Sequence, residues 1–137
     1  MTVFMLDTNI CSYIIRKRPD AVRLRMNQAI AEGSQIVIST VTYYEMRRGA
    51  VSIKASSKLG EEIEAFCARL HGIIPFDREA ASEAATLYGT LASQGQLIGN
   101  NDLLVAGHAL AVECVIVTNN TREFQRVPGL DLENWIE

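Results

Sequence analysis

The sequence predicts a single α/β domain with a mostly parallel sheet covered on both faces by helices. Four short apolar runs of strand length recur along the chain, at 3–6, 36–38, 73–76 and 115–117. Each is bounded by turn or capping residues and reads as a strand buried on both faces. Between them lie longer stretches with helical apolar spacing. Strands alternating with helices imply parallel neighbours joined by right-handed crossovers. At 137 residues the chain is expected to form one domain, 1–137.

The first run ends in Asp7, and Ile10, Ile14 and Ile15 follow at helical spacing, so a helix is expected over 8–17. The pair Arg18-Pro19 breaks it, because a residue before proline avoids the helical region. Pro19 suits the first turn of a second helix to about Glu32, with Ala21, Val22, Leu24, Met26, Ala29 and Ile30 as its apolar positions. After the strand at 36–38, Ser39-Thr40-Val41-Thr42 starts a helix holding Tyr43, Tyr44, Glu45 and Met46. Gly49 and the serine-rich 52–58 region weaken or interrupt it. A further helix is expected over 61–71, with Ile63, Phe66, Cys67 and Leu70 on one face. Pro75 places the strand at 73–76 at a strand end or a sheet edge. Asp77 caps a long helix to about Ser93, and 94–99 is a loop. Asn100-Asn101-Asp102 opens the next helix, with Leu103, Ala106, Leu110 and Ala111 inward and Gly107 allowing close packing. The strand at 115–117 ends at Thr118-Asn119-Asn120; a short helix at 121–125 and an extended piece at 130–135 follow.

Composition narrows the classes. A hydrophobic fraction of 48% is ample for a packed core. No apolar run approaches the roughly 18–20 residues of a membrane span, and Asp7 interrupts the one early apolar run that a signal peptide would need. A cytoplasmic protein without membrane attachment is expected. Cys11, Cys67 and Cys114 are odd in number and show no zinc-ligand spacing, so reduced thiols are expected. The net charge of −3 does not advertise nucleic-acid binding. Yet Arg16, Lys17, Arg18, Arg23 and Arg25 place five of the thirteen basic residues within ten positions. Such a patch can hold RNA phosphates on an acidic protein, since binding depends on local potential. The alternative is an ordinary solvated helix face.

Three acids fall at comparable places. Asp7 ends the first strand, Glu45 lies one turn into the helix after the second, and Asp102 lies in the first turn of the helix before the fourth. In open α/β sheets that edge is where ligands bind. Each acid also has a purely structural reading. Asp7 can cap its helix, Thr42 and Glu45 fit a capping box, and Asp102 favours a helix start through the macrodipole. Together they describe a cluster of carboxylates that repel one another unless a cation sits among them. An all-oxygen set suits a hard ion such as Mg²⁺ or Mn²⁺, and acids gripping such ions are apparatus for hydrolysing phosphodiesters.

Four segments in order resemble the PIN-domain ribonucleases. They are Leu6-Asp7-Thr8-Asn9, Tyr44-Glu45, the run from Gly99 through Asn100-Asn101-Asp102 to Ala106, and Val117-Thr118-Asn119-Asn120-Thr121-Arg122-Glu123-Phe124. Within that family the chain is similar to the VapC toxins of bacterial toxin–antitoxin pairs. The resemblance implies a three-layer α/β/α fold, a homodimer, and Mg²⁺- or Mn²⁺-dependent endoribonuclease activity. It implies a bacterial cytoplasmic setting, and inhibition by a cognate antitoxin protein. Transfer RNA, with initiator tRNA cut in its anticodon region foremost, is the RNA substrate expected. The catalytic, metal-binding acids it implies are Asp7, Glu45 and Asp102. Thr8 and Thr118 would support the site, Thr8 through Asp7. Many PIN domains carry a fourth acid after the last of these strands, where this sequence has Asn119-Asn120. Asn120 can accept a hydrogen bond but brings no charge. Glu123 compensates only if the short helix turns it inward; otherwise it is a solvated surface acid. An antitoxin would be expected to place an arginine among the acids and apolar anchors between the helices at 8–17 and 19–32 and the helix bearing Glu45.

Two rivals are weighed. A signalling receiver domain needs paired acids after its first strand and a late lysine; Asp7 is followed by Thr8, and the lysines are Lys17, Lys54 and Lys58. A catalytically silent PIN-like module that binds RNA or a partner is the other, and the retained acids argue against it. His71 and His108 read as structural or surface residues, Tyr43 and Tyr44 as core or interface. Trp135 is expected to pack the carboxyl-terminal segment onto the sheet.

Overall fold

The computed structural model describes residues 1–136. Five strands, β1 (Val3–Leu6), β2 (Gln35–Ser39), β3 (Gly72–Ile74), β4 (Val115–Val117) and β5 (Leu132–Glu133), form one sheet in the order β3-β2-β1-β4-β5. Every neighbouring pair is parallel. The chain leaves β1 toward β2 on one side and returns on the other side as β4. Between β1 and β4, therefore, the connections diverge, which is where an open α/β sheet forms its ligand crevice.

The three central strands, β2, β1 and β4, bury both faces, and their side chains alternate between two cores. Phe4, Leu6, Ile36, Ile38 and Val117 face helices α1 (Thr8–Arg16), α2 (Asp20–Ala31), α3 (Thr40–Ala50) and α4 (Leu59–Ala68), with Ile10, Ile14, Met26, Met46 and Phe66 filling the space. Met5, Val37 and Ile116 face α5 (Arg78–Ser93), α6 (Asn100–Val112) and the short α7 (Thr121–Phe124), through Leu87, Leu91, Ala106 and Phe124. The expected three-layer α/β/α architecture is present.

Local chemistry sets the element ends. Asp7 caps α1 by accepting from Ile10 N–H at 2.9 Å. Asp77 caps α5 through Ala80 N–H. Lys17 closes α1 in the left-handed region at φ 61°. Trp135 is buried and meets Phe4 edge-on at 5.3 Å, which seats the carboxyl-terminal segment on the sheet. His71 Nδ1 accepts from Ile36 N–H, a structural role. The strand expected at 73–76 is the edge strand β3 and stops at Ile74, ahead of Pro75. Beyond it Phe76 N–H turns to Thr40 Oγ1 instead of a neighbouring strand. The helix expected over 61–71 begins two residues earlier and ends at Ala68. Leu24 and Ile30, expected among the apolar positions of α2, face outward. Helix α2 packs through Val22, Met26 and Ala29, a stripe too narrow to take in positions 24 and 30.

Candidate active site

The carboxyl end of the sheet assembles the site. Asp7 directly follows β1, and its N–H donates to Val117 O, so the ends of β1 and β4 are locked together. Its Oδ1 takes the helix-capping bond, while its Oδ2 accepts from the Thr118 hydroxyl at 2.5 Å. The capping reading of Asp7 thus holds, and it fixes the carboxylate rather than excluding a second role. Burial pushes the Asp7 carboxyl above its ordinary range; the Thr118 and Ile10 bonds oppose this, and the charge of Glu45 adds to it.

Glu45 is not part of a capping box. Ser39 caps α3 by accepting from Val41 N–H, and Thr42 is buried one turn on with its hydroxyl unpartnered. Glu45 is instead held at both oxygens, Oε1 by the Thr8 hydroxyl at 2.7 Å and Oε2 by the Asn101 amide at 3.0 Å. Thr8 therefore serves Glu45 and not Asp7, because α1 points its first side chain across toward α3. Asn101 belongs to the helix opening and to the third of the four resembling segments, but its reach from α6 to α3 depends on how those helices pack and leaves no local signal.

Asp102 stands in the first turn of α6, after the Gly99 cap. Its carboxyl is pushed up to about 6, first by burial and then by the charges of Glu123, Asp7 and Glu45. Asn120 bridges the far side of the site, donating from Nδ2 to Asp102 Oδ2 at 3.3 Å and to Glu123 Oε2. Glu123 also accepts from Gly99 N–H, so the short α7 turns it inward to the start of α6. These bonds, the Asn120 contact foremost, hold its carboxyl below the usual range. Asn119 faces away and accepts from Asn134.

Among the described residues, no three acidic, histidine or cysteine side chains already stand within reach of a common ion. The donor set itself fits a hard cation. It consists of four carboxylates, amide carbonyls and hydroxyls, with one carboxyl raised by the charges of the other three.

Of the described basic residues, only Arg16 lines the groove beside this site. That groove, about 430 Å³, runs between α1, α3 and α4 past Thr8, Glu45, Met46 and Ile63. Helix α2, expected to form one wall, does not line it. Arg25 is committed elsewhere: it pairs with Glu133 at 2.7 Å and lies over the Phe4 and Trp135 rings. Arg23 pairs with Asp20. His108 is fully buried, with Nδ1 on the Ser39 hydroxyl at 2.8 Å and Phe76 packed edge-on, so it ties α6 to the β2–α3 corner.

Comparison with known proteins agrees with this geometry. The PIN domain family profile matches residues 4–130. Ribonuclease VapC2 of Rickettsia felis is 39% identical over 133 residues, spanning 97% of this chain and 98% of its own. The tRNA(fMet)-specific endonuclease VapC of Shigella flexneri is 41% identical over 135 residues, spanning 98% and 99%. The chain belongs to the PIN-domain family, among its VapC ribonucleases. The crystal structure of VapBC2 from Rickettsia felis bound to a promoter DNA fragment superposes with a TM-score of 0.89 at 37% identity, covering 98% of this chain and 99% of that one. DNA-bound VapBC from Salmonella typhimurium gives 0.88 at 36% identity, covering 98% and 99%. PIN-domain nucleases as a family depend on a divalent cation.

The raised acids predict how stability changes with pH in metal-free protein. A carboxyl raised in the folded state favours folding below its unfolded value and loses that contribution as pH rises through its folded value. For Asp102 the loss runs from near 3.8 to beyond about 6; Asp7 acts in the same sense, and the lowered Glu123 in the opposite one. Thermal melting in EDTA is expected to fall by a few degrees between pH 5 and pH 7.5. Asp102→Asn should flatten that slope; an equal slope in the variant would show that the acids are not coupled.

Proposed function

We propose that this VapC-family ribonuclease cuts initiator transfer RNA in its anticodon region, using Asp7, Glu45 and Asp102 to hold a divalent cation. The observation that carries the cation is geometric: Thr118 holds Asp7, Thr8 and Asn101 hold Glu45, and Asn120 joins Asp102 to Glu123, which brings four carboxylates from different elements to one sheet edge. Four carboxylates brought to one sheet edge are costly unless a cation neutralises them. The all-oxygen donors favour Mg²⁺, with Mn²⁺ as the alternative. When bound, such an ion lowers the pKa of an attacking water and stabilises charge on the leaving oxygen.

The chain's own residues perform the positioning. Thr118 and the Ile10 N–H aim Asp7, Thr8 and Asn101 aim Glu45, and Asn120 holds Asp102 and Glu123 together. Glu123 takes the place of the missing fourth acid, brought from α7 rather than from the strand end. Support for the substrate comes from the Shigella flexneri and Salmonella typhimurium relatives, both named tRNA(fMet)-specific endonucleases. Support for an antitoxin comes from the VapBC complexes of the same shape. The groove between α1, α3 and α4 offers apolar walls for its anchors and leads to Glu45, where an inhibitor arginine would pair. A cytoplasmic homodimer completes the proposal.

Brief induction in antitoxin-free cells, followed by mapping of all new RNA ends, tests the substrate. A dominant cut in the anticodon region of initiator tRNA is expected, and co-expression of a cognate antitoxin should erase it. Cuts spread across messenger or ribosomal RNA would overturn the tRNA assignment. A pull-down with Asp7→Asn protein that recovers no small partner, from a host in which the wild-type gene is harmless, would overturn the toxin reading.

A further inference from the structure

The geometry points to a second RNA contact site at the carboxyl end of α1, a hollow in which Tyr13 stacks a base and Arg16 and Arg18 hold its phosphate. This rests on the ribonuclease reading of the acidic site and extends it along the substrate. The hollow has a volume of about 510 Å³ and is lined by Tyr13, Arg16, Arg18 and Pro19. The backbone builds it: α1 ends with Lys17 in the left-handed region, and Arg18 N–H returns to Tyr13 O at 3.0 Å. That turn brings Arg18 into the same hollow as Tyr13. The Arg16 guanidinium lies over the same ring, 5.3 Å from its centroid; a stacking base takes that place as Arg16 turns to the phosphate. Among the described residues Arg16, Lys17 and Arg18 take part in no ion pair, whereas Arg23 and Arg25 are paired with acids. The basic cluster thus divides into a committed half and an available half.

Arg16 also lines the groove that contains Thr8 and Glu45. One arginine therefore borders both the acidic site and the hollow. Helix α1 acts as a ruler between them, with its amino end capped by the metal-site Asp7 and its last residue Arg16. Nine residues at about 1.5 Å each separate the two by about 13 Å. A strand whose scissile phosphate sits at the acids would run along α1 and set a neighbouring nucleotide in the hollow. An aromatic face beside two unpaired guanidinium groups is the arrangement that takes a base and its phosphate.

The test is fluorescence anisotropy of a labelled anticodon stem–loop RNA in EDTA, across a salt series, with cleavage kinetics in Mg²⁺ measured in parallel. Arg16→Gln combined with Arg18→Gln should weaken binding about tenfold and reduce the salt slope by roughly one, for the one phosphate that the two hold together. Tyr13→Leu keeps the apolar packing; it should weaken binding about tenfold with the slope unchanged. In both, KM should rise while kcat stays within about twofold, and melting should match wild type. Arg23→Gln should behave as wild type. Unchanged affinity and slope in the double variant would overturn the proposal. So would a double variant that binds RNA normally but loses the antitoxin. A wild-type protein that binds RNA with these dependences yet never cuts it would instead sink the nuclease reading and leave the hollow standing.

Discussion

Asp7→Asn, Glu45→Gln and Asp102→Asn should each lower RNA cleavage by about a thousandfold or more, with the fold intact. Each removes one charged oxygen from the site at nearly constant volume. Several kcal/mol of transition-state stabilisation goes with a bound cation, and about 1.4 kcal/mol is tenfold in rate. The fold survives because the substitutes can satisfy the same partners. Asn at position 7 still accepts from Ile10 N–H, and the Thr118 hydroxyl can turn to accept from its amide. Gln at position 45 can keep Asn101 as donor and Thr8 as acceptor. Asn at position 102 removes a charge that three neighbouring acids oppose, so melting near neutral pH should rise. Activity and stability therefore move in opposite directions at Asp102, as expected where a site is held at the expense of stability. Two of the three variants cutting at near wild-type rates would remove the acids from the mechanism.

Gly107→Ala and Gly89→Ala should change stability in opposite directions, although both replace glycine inside a helix. At Gly107 a Cβ would lie 2.6 Å from Ala84 Cα and 2.7 Å from Ala84 N. That neighbour is backbone, so α5 and α6 must separate. Overpacking of this kind costs about 1–3 kcal/mol, more than the roughly 1 kcal/mol that Ala gains over Gly in helix propensity. The net cost of up to about 2 kcal/mol predicts a fall in Tm of up to about 8 °C for a domain of this size. At Gly89, in α5, nothing lies within 4 Å of the added Cβ. The propensity gain acts alone there, and Tm should rise by a few degrees. Gly107→Ala should also slow cleavage, because α6 carries Asn101 and Asp102 in its first turn. Thermal melts of both variants decide the matter; equal shifts would show that the α5–α6 contact is looser than it looks.

Much of this was legible in the chain because local rules and tertiary structure agree. The apolar runs at 3–6, 36–38 and 115–117 need burial on both faces, so they could only be central strands. Asp7 and Asp102 fall at element ends and Glu45 in the helix that follows β2, so sequence position places them near one sheet edge. The partners of those acids were legible in part: Thr118 and Asn120 were expected at the site and meet Asp7 and Asp102. Thr8 was expected on Asp7 and serves Glu45, a difference that depends on the approach of α1 to α3. Glu123 reads equally well as a surface acid until α7 is seen to turn it toward Gly99. The basic cluster at 16–25 looked uniform. In the fold Arg25 is drawn onto Trp135 and Glu133 by a segment more than a hundred residues away. Charge spacing alone carries no trace of such a partner.

The most direct measurement is cleavage of purified initiator tRNA by antitoxin-free protein under three conditions: in Mg²⁺, in EDTA, and in EDTA followed by excess Mg²⁺. Cutting in the first, none in the second and recovery in the third, with Asp102→Asn inactive throughout, is the result predicted by acids that hold a catalytic cation. Cutting at the same rate in EDTA, or by Asp102→Asn, would contradict it.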